Sequence, residues 1–172
     1  MEIQDAYKFC PRCGSHMVLE GGHLHCQACG LVFYLNPKPV TSVILKNSKN
    51  EYLFTIRANE PFKGKLDFPG GFVDWGEGFE DGGRRELKEE LGIEVGSLTY
   101  LCTAQITYPS QGINFKLIGV AYTANLQPAA QIKVADDVAG YKFYKLDNVP
   151  MEQLADTAMP MFIDRLKELN DS

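Results

Sequence analysis

Residues 71–93, GFVDWGEGFEDGGRRELKEELGI, decide the fold of this chain. The half from about 79 to 91 has the features of a helix, and Gly92 follows as the left-handed residue that commonly closes one. At 3.6 residues per turn the glutamates of this half share one face and the leucines share another. These residues are Glu86, Glu89 and Glu90 on the first face, and Leu87 and Leu91 on the second. We therefore predict a helix with an acidic face and a core face.

The acidic face is most simply explained by a metal ion. Carboxylates at this spacing repel, and each like-charge pair costs a helix about 0.2–0.5 kcal/mol. Hard divalent ions such as Mg²⁺ and Mn²⁺ prefer oxygen ligands and are usually completed by substrate phosphates. A solvated acidic face is the alternative. Two features favour the metal: Arg85 and Glu77 can form a salt bridge between loop and helix, and residues 69–71, Pro-Gly-Gly, form a turn that exposes its backbone.

These residues together resemble the Nudix box. The fixed positions of that motif are matched by Gly71, Glu77, Arg85, Glu86, Leu87, Glu89, Glu90, Gly92 and Ile93. The resemblance implies a Nudix hydrolase, an α/β fold built as an α/β/α sandwich with a mixed sheet. It implies that the enzyme cleaves a nucleoside diphosphate linked to another moiety, with Mg²⁺ or Mn²⁺ as cofactor.

The resemblance also assigns roles to single residues. Glu86, Glu89 and Glu90 are implied as metal ligands and catalytic residues, the Gly70 carbonyl as an additional ligand, and Arg85 as an orienting residue. Nudix hydrolases often carry an acidic residue late in the chain as catalytic base or further ligand. Asp136 and Asp137 stand in such a loop, and we choose Asp137. A solvated loop or a helix cap is the alternative, because aspartate favours such positions.

Two glycines depart from the usual box. Nudix boxes commonly carry alanine where this chain has Gly82 and Gly83, and each glycine costs a helix about 1 kcal/mol relative to alanine. We expect both to lie toward the carboxylate side, where they allow another backbone or a substrate to approach. The alternative is that the helix begins after them.

The amino-terminal segment predicts a zinc ribbon. Two Cys-x-x-Cys pairs, FCPRCG and HCQACG, flank a Gly-Gly turn and supply four thiolates for tetrahedral zinc: Cys10, Cys13, Cys26 and Cys29. The histidines at 16, 23 and 25 are alternative ligands that four thiolates make unnecessary. Because a segment this small cannot build a sufficient hydrophobic core, we expect zinc binding to supply its folding free energy. We expect a structural or oligomer-forming role.

The rest of the chain predicts a second, larger domain. An extended linker with two prolines near 34–39 separates a ribbon at 1–34 from a Nudix domain at 35–172. Beta-rich runs at 40–46 and 51–57 indicate one hairpin, and runs at 98–108 and 114–126 indicate another. The polar stretch 127–139 precedes a strand at 141–146, and residues 156–170 have helical spacing.

Composition limits the partners. The net charge of −5 gives no general attraction to nucleic acid or anionic membranes, so a small nucleotide is the expected substrate and nucleic acid is not. No apolar run has the length of a membrane span, and the amino terminus lacks the features of a secretory signal. Paired cysteines suit metal ligation in a reducing compartment, and we expect a cytoplasmic protein. Dimers are common in the family, so a homodimer is possible here by analogy only.

The expected activity is hydrolysis of a pyrophosphate linkage to give a nucleoside monophosphate and a phosphorylated product. Candidate substrates are ADP-ribose, a dinucleotide, a nucleotide sugar and a nucleoside triphosphate. A ribbon followed by a Nudix domain resembles NADH pyrophosphatases, but residues 107–119, TYPSQGINFKLIG, replace the signature those enzymes carry downstream of the box. Two alternatives remain: a non-catalytic nucleotide-sensing module whose ribbon binds a protein or nucleic-acid partner, and a decapping enzyme with a basic groove for RNA ends.

Overall fold

The computed structural model describes residues 1–170 and contains two sheets. The smaller sheet is antiparallel, in the order β1-β2-β3, and lies in the amino-terminal segment. Its strands are β1 (Met17–Glu20), β2 (His23–Cys26) and β3 (Val32–Tyr34), preceded by a 3₁₀ turn at Ile3–Asp5. A zinc ribbon was predicted for this segment, and the three short strands suit one.

The larger sheet has seven strands, and the chain that forms it also contains two α-helices. The strands are β4 (Lys38–Lys46), β5 (Tyr52–Arg57), β6 (Leu66–Asp67), β7 (Gly70–Phe72), β8 (Thr99–Ser110), β9 (Ile113–Asn125) and β10 (Val138–Tyr144), and the helices are α1 (Phe79–Leu91) and α2 (Met159–Asn170). The sheet runs β10-β5-β4-β9-β8. Strands β4 and β9 are parallel and the other pairs are antiparallel, so the sheet is mixed.

Each face of this sheet packs against one helix. Side chains alternate along a strand, so Ile44 of β4 enters the core beneath α2, whereas Val43 and Leu45 enter the core beneath α1. Helix α2 contributes Phe162 to the first core, and α1 contributes Leu87 to the second. The predicted α/β/α sandwich is confirmed.

The first hairpin opens along its length. Strands β4 and β5 pair at Lys46 and Tyr52, next to their turn. Further along, β6 pairs with β5 and β7 pairs with β4, with Ser42 opposite Gly70. The glycine turn is therefore inserted between two strands of the sheet, which fixes it beside α1.

Helix α1 has the predicted bounds. Gly92 is left-handed, with φ of 65°, and its N–H donates to the Lys88 carbonyl at 3.1 Å. The helix begins at Phe79, so the alternative that it begins after the two glycines is wrong. Gly82 faces the Glu77 carboxylate as expected, but Gly83 faces β4. What approaches Gly83 is the side chains of a neighbouring strand.

We expect Gly83→Ala to destabilise the protein by about 1–2 kcal/mol, even though alanine is the better helix former by about 1 kcal/mol. A Cβ at this position would lie 2.8 Å from Cγ2 of Val43, which is fully buried in the core between α1 and β4. Urea unfolding measures the effect. Gly96→Ala is the control, because a Cβ there meets nothing within 4 Å. A Gly83→Ala protein as stable as the wild type would show that the helix does not pack this closely.

Several boundaries differ from the predictions. Pro109 and Ser110 belong to β8, and the turn of the second hairpin is Gln111–Gly112. Strand β10 begins at Val138, before the predicted 141, and ends at Tyr144, since Leu146 lies in a 3₁₀ turn. Helix α2 begins three residues later than predicted, at Met159.

The backbone hydrogen bonds explain that later start. The Phe162 N–H donates to the Ala158 carbonyl at 3.1 Å, so the first turn of the helix follows Ala158. Asp156 lies before this turn, and its Oδ1 accepts hydrogen bonds from the amides of Ala158 at 2.7 Å and Met159 at 3.1 Å, which orders the segment leading into the helix.

The helices within residues 1–170 are too short or too polar to span a bilayer.

Candidate functional site

The glycine turn lies against the acidic face of α1. Glu90 is only 5% exposed, and its Oε2 accepts a hydrogen bond from the Gly70 N–H at 3.1 Å. A Cβ at Gly71 would clash with the Glu86 carboxylate, so only glycine permits that carboxylate to lie there. Glu89 is half-exposed. The structure therefore brings the predicted turn against Glu86 and Glu90, whereas Glu89 is bonded to Arg85.

Arg85 holds this site in place. Its guanidinium bonds both oxygens of Glu77, at 3.0 and 3.1 Å, which confirms the predicted salt bridge between loop and helix. It also bonds Glu86 at 2.8 Å and Glu89 at 3.0 Å. A further bond to the Phe72 carbonyl at 2.9 Å ties the helix to the end of β7. The hydrogen bonds with Glu77 raise the pKa of Arg85 and lower the pKa of Glu77, so both groups are charged.

The site carries an excess of negative charge. Burial, and then the charges of Asp137 and Glu86, raise the pKa of Glu90 to about 9. Burial also raises the pKa of Glu86. A bound cation would relieve both, and carboxylate oxygens are the donors that Mg²⁺ and Mn²⁺ prefer. The donor set therefore fits a divalent metal, although Glu86 and Glu89 are turned toward Arg85 and Glu90 toward Gly70.

Asp137 lies at the edge of this site. It lines the same cavity as Gly70 and Gly71, and its backbone carbonyl accepts a hydrogen bond from Ala58 at 2.7 Å. Asp136 precedes it in a left-handed conformation, with φ of 54°, and does not line the cavity. The structure thus brings Asp137, rather than Asp136, to the glutamates.

A cavity of about 130 Å³ opens beside the glycine turn. Its apolar walls are Val40, Phe62, Phe68, Phe72, Ile106, Tyr108 and Leu117, and its polar side chains include Arg57, Asp67, Asp137 and Asp156. Tyr108 meets Phe62 and Phe72 edge to face, with ring centroids 6.3 and 6.2 Å apart. Apolar walls with a few polar groups are typical of a pocket for a small aromatic ligand.

At the polar end of the cavity, Asp67 and Asp156 were not predicted from the sequence. Arg57 donates to Asp67 at 2.9 Å and to the Pro61 carbonyl at 2.9 Å. Burial, and then the charge of Asp156, raise the pKa of Asp67 to about 6 in spite of this arginine. The one available signal was a charged residue standing between the apolar Leu66 and Phe68 in a buried segment.

The four predicted cysteines also come together. Their sulfur atoms all lie within 4.8 Å of one another, with Cys10 and Cys29 3.7 Å apart and Cys13 and Cys26 3.5 Å apart. Four zinc–sulfur bonds of about 2.3 Å in a tetrahedron separate the sulfurs by about 3.8 Å. The cluster therefore fits zinc. Within residues 1–170 no other set of three or more potential ligands is gathered this closely.

The ribbon histidines lie elsewhere, as expected. His16 contacts the ring of Phe9 and His23 contacts the ring of Tyr34, with centroids 4.8 and 5.4 Å apart. Neither belongs to the cysteine cluster, and nor does His25.

Comparison with known proteins agrees with this geometry. The NUDIX domain family matches residues 36–166. An ADP-ribose pyrophosphatase of Methanocaldococcus jannaschii is 32% identical over 119 residues, which are 68% of this chain and 67% of that protein. The NAD-capped RNA hydrolase NudC of Vibrio vulnificus is 27% identical over 83% of this chain and 52% of its own length. This chain thus spans about half the length of that relative.

Solved structures show the same fold. The crystal structure of a NUDIX hydrolase from Nitrosomonas europaea superposes with a TM-score of 0.68 and is 23% identical, over 93% of this chain and 88% of that one. The aligned part of this chain is longer than the family match alone, and it therefore extends into the amino-terminal segment.

Proposed function

Because the chain belongs to the Nudix hydrolase family, we propose that it hydrolyses the pyrophosphate linkage of a nucleoside diphosphate derivative, with Mg²⁺ or Mn²⁺ as cofactor. The products are a nucleoside monophosphate and a phosphorylated remainder. The observation that carries the proposal is the packing of Glu86 and Glu90 against the glycine turn, beside an aromatic cavity. The names of both relatives refer to compounds in which a diphosphate joins a nucleoside to another moiety.

The metal would be held by Glu86, Glu89, Glu90 and the Gly70 carbonyl. When bound, such an ion neutralises phosphate oxygens and lowers the pKa of a coordinated water. Burial of Glu90 keeps one ligand in a fixed position, because its partner is the backbone of the turn. Glu86 is fixed in a similar way, since its carboxylate lies against Gly71.

The proton of the attacking water needs an acceptor. Asp137, which lines the cavity next to Gly70, is one candidate. A glutamate of α1 that is left free of metal is the other. Arg85 acts as a positioning residue in either case, because it orients Glu86 and Glu89 through its own hydrogen bonds.

The cavity would seat the base of the nucleoside. Its rings offer apolar and edge contacts to a planar heterocycle, and Asp67 and Asp156 offer oxygen acceptors to the N–H groups of that ring. Gly70 and Gly71 line the cavity and also touch the glutamates, so a base seated there would place its diphosphate near the acidic face of α1.

Arg85→Lys is expected to lower kcat/KM by about 10- to 100-fold, the usual cost of losing a group that orients metal ligands. A lysine ammonium is a single point charge and cannot bond Glu77 through both oxygens while also reaching Phe72. Arg84→Lys is the matched control, since Arg84 is bonded to none of the glutamates of the site: it pairs with Glu80 and Asp81 at 3.8 and 3.3 Å and donates to the Gly96 carbonyl at 3.4 Å. Equal values of kcat/KM for the two variants would show that Arg85 does not position the glutamates.

A substrate panel tests the proposal. The purified protein with Mg²⁺ or Mn²⁺ is incubated with ADP-ribose, NADH, diadenosine polyphosphates, nucleotide sugars and nucleoside triphosphates, and the products are separated by ion-exchange chromatography. We expect release of a nucleoside monophosphate from at least one compound, and we expect Glu89→Gln to abolish it. Binding without cleavage across the panel would favour the nucleotide-sensing module instead.

We further propose that the chain divides into the ribbon at 1–34 and the Nudix domain at 35–172, and that it acts in the cytoplasm. Support for the division is that β3 ends at Tyr34 and β4 begins at Lys38. The amino terminus nevertheless contacts the larger sheet, because the Met1 amino group donates to the Gly112 carbonyl at 2.9 Å. Support for the location is a four-thiol cluster, which suits a reducing compartment.

A further inference from the structure

Trp75 is the only tryptophan of the chain, and it is completely exposed. Its relative accessibility of 105% means that the indole packs against nothing. Within residues 1–170 the side chain makes no hydrogen bond, ring contact or cation contact. Tryptophan is highly buried on average, and its burial contributes more apolar area than that of any other side chain. An indole left wholly in water therefore indicates a contact that the isolated chain does not make.

The loop that presents this indole is well held. The Asp74 amide donates to Glu77 Oε2 at 3.0 Å, and the Glu77 amide donates to the Asp74 carbonyl at 3.1 Å. Glu77 is in turn bonded twice by Arg85. A surface held on an ordered loop loses little entropy when a ligand binds, which favours its use as a contact.

The same loop borders the proposed catalytic site. Asp74, the neighbour of Trp75, lies 3.8 Å from Arg85, and Arg85 bonds Glu86 and Glu89. Three residues before the indole, Phe72 lines the cavity proposed for the nucleoside base. One short segment thus carries an aromatic ring inside the cavity and a second aromatic ring outside it, next to the groups that position the glutamates.

We propose that Trp75 stacks on an aromatic ring in the moiety beyond the diphosphate, and that the substrate class is therefore a dinucleotide, with one base in the cavity and the other on the indole. This inference rests on the proposed hydrolase function. A flat indole accepts any nucleobase, because each base has a π-face, and such stacking is usual where proteins bind unpaired bases. A sugar without a base offers it no comparable surface.

Two substrates that differ by a single base test the inference. Diadenosine diphosphate and ADP-ribose share an adenosine, a diphosphate and a second ribose, and only the first carries a second adenine. We expect Trp75→Ala to raise KM for diadenosine diphosphate by about 5- to 150-fold, the range for loss of one stacked base, and to leave KM for ADP-ribose unchanged. Trp75→Phe should restore most of the loss.

The matched control is Tyr100→Ala, which removes another exposed aromatic ring, on β8, and should affect neither substrate. An equal rise in KM for both substrates, or no change for either, would overturn the inference. A changed sedimentation coefficient in Trp75→Ala with unchanged KM values would also overturn it, since the indole would then join copies of the chain.

Fluorescence gives a test that is independent of turnover, because all of the tryptophan emission comes from this one residue. In the inactive Glu89→Gln variant with Mg²⁺, diadenosine diphosphate should quench the emission saturably and ADP-ribose should not. Quenching by both, or by neither, contradicts the stacking. If the wild-type protein cleaves no compound of the substrate panel, the proposed function fails, whereas the titration still decides whether Trp75 contacts the second base.

Discussion

Glu90→Gln is expected to lower kcat/KM by about 10²- to 10⁴-fold while the protein stays folded, the range for loss of a group that holds the metal or moves the proton. Glutamine has nearly the shape of glutamate and can still accept the hydrogen bond from Gly70, but it brings no charge to a metal. In the absence of metal we expect the free energy of unfolding to stay equal or to rise, because burial and neighbouring carboxylates disfavour the Glu90 charge.

Glu80→Gln serves as the control for this variant. Glu80 lies on the same helix, and its exposed carboxylate pairs with Arg84 at 3.8 Å, away from the glutamates of the site. Its loss should leave kcat/KM unchanged. A Glu90→Gln protein with wild-type kinetics, or one that is inactive only because it has unfolded, would contradict the assigned role. Circular dichroism and thermal unfolding separate the second outcome from a true loss of catalysis.

Loss of zinc is expected to unfold the ribbon and to spare the larger domain. A tetrahedral thiolate site holds one zinc ion, and in small zinc domains its binding contributes about 10–16 kcal/mol of apparent folding free energy. Cys26→Ala should therefore abolish bound zinc, as measured by inductively coupled plasma mass spectrometry on the purified protein. The two cores that pack α1 and α2 contain none of the four cysteines of the cluster, so the main thermal transition should remain.

Cys102→Ala is the matched cysteine control. Cys102 lies on β8 and does not belong to the cluster, so its loss should leave the zinc content unchanged. A wild-type protein without zinc, or a Cys26→Ala protein that retains it, would show that the four thiols serve another purpose. An intact ribbon after chelation would show that zinc is not what folds it.

Local signals explain why some of this structure was predictable. The bounds of α1 follow from a 3.6-residue period and a closing glycine, both of which lie within thirteen helical residues and the one after them. The cysteine cluster follows from two short repeats whose chemistry admits few alternatives. The ion pair between Arg85 and Glu77 joins residues of one motif, so it too was within reach of the sequence.

Other features were not predictable because they depend on contacts between segments that are distant in the sequence. Tyr108 and Asp156 reach the cavity from β8 and from the loop before α2, and no local pattern brings them to the glycine turn. The opening of the first hairpin was missed because β6 and β7 are too short for an alternating pattern to show. Gly83 was placed on the wrong side because helical period gives spacing but not the direction of the neighbouring sheet.

The most direct test of the central claim is ³¹P nuclear magnetic resonance of ADP-ribose, or of the best substrate in the panel, incubated with the protein and Mg²⁺. We predict that the anhydride phosphorus signals are replaced by those of a nucleoside monophosphate and a phosphorylated second product, which for ADP-ribose are two monophosphate ester signals. Glu90→Gln or removal of Mg²⁺ by chelation should prevent this. Substrate anhydride signals that persist with every compound in the panel, or that disappear equally fast with Glu90→Gln, would contradict the assignment of the α1 glutamates to pyrophosphate hydrolysis.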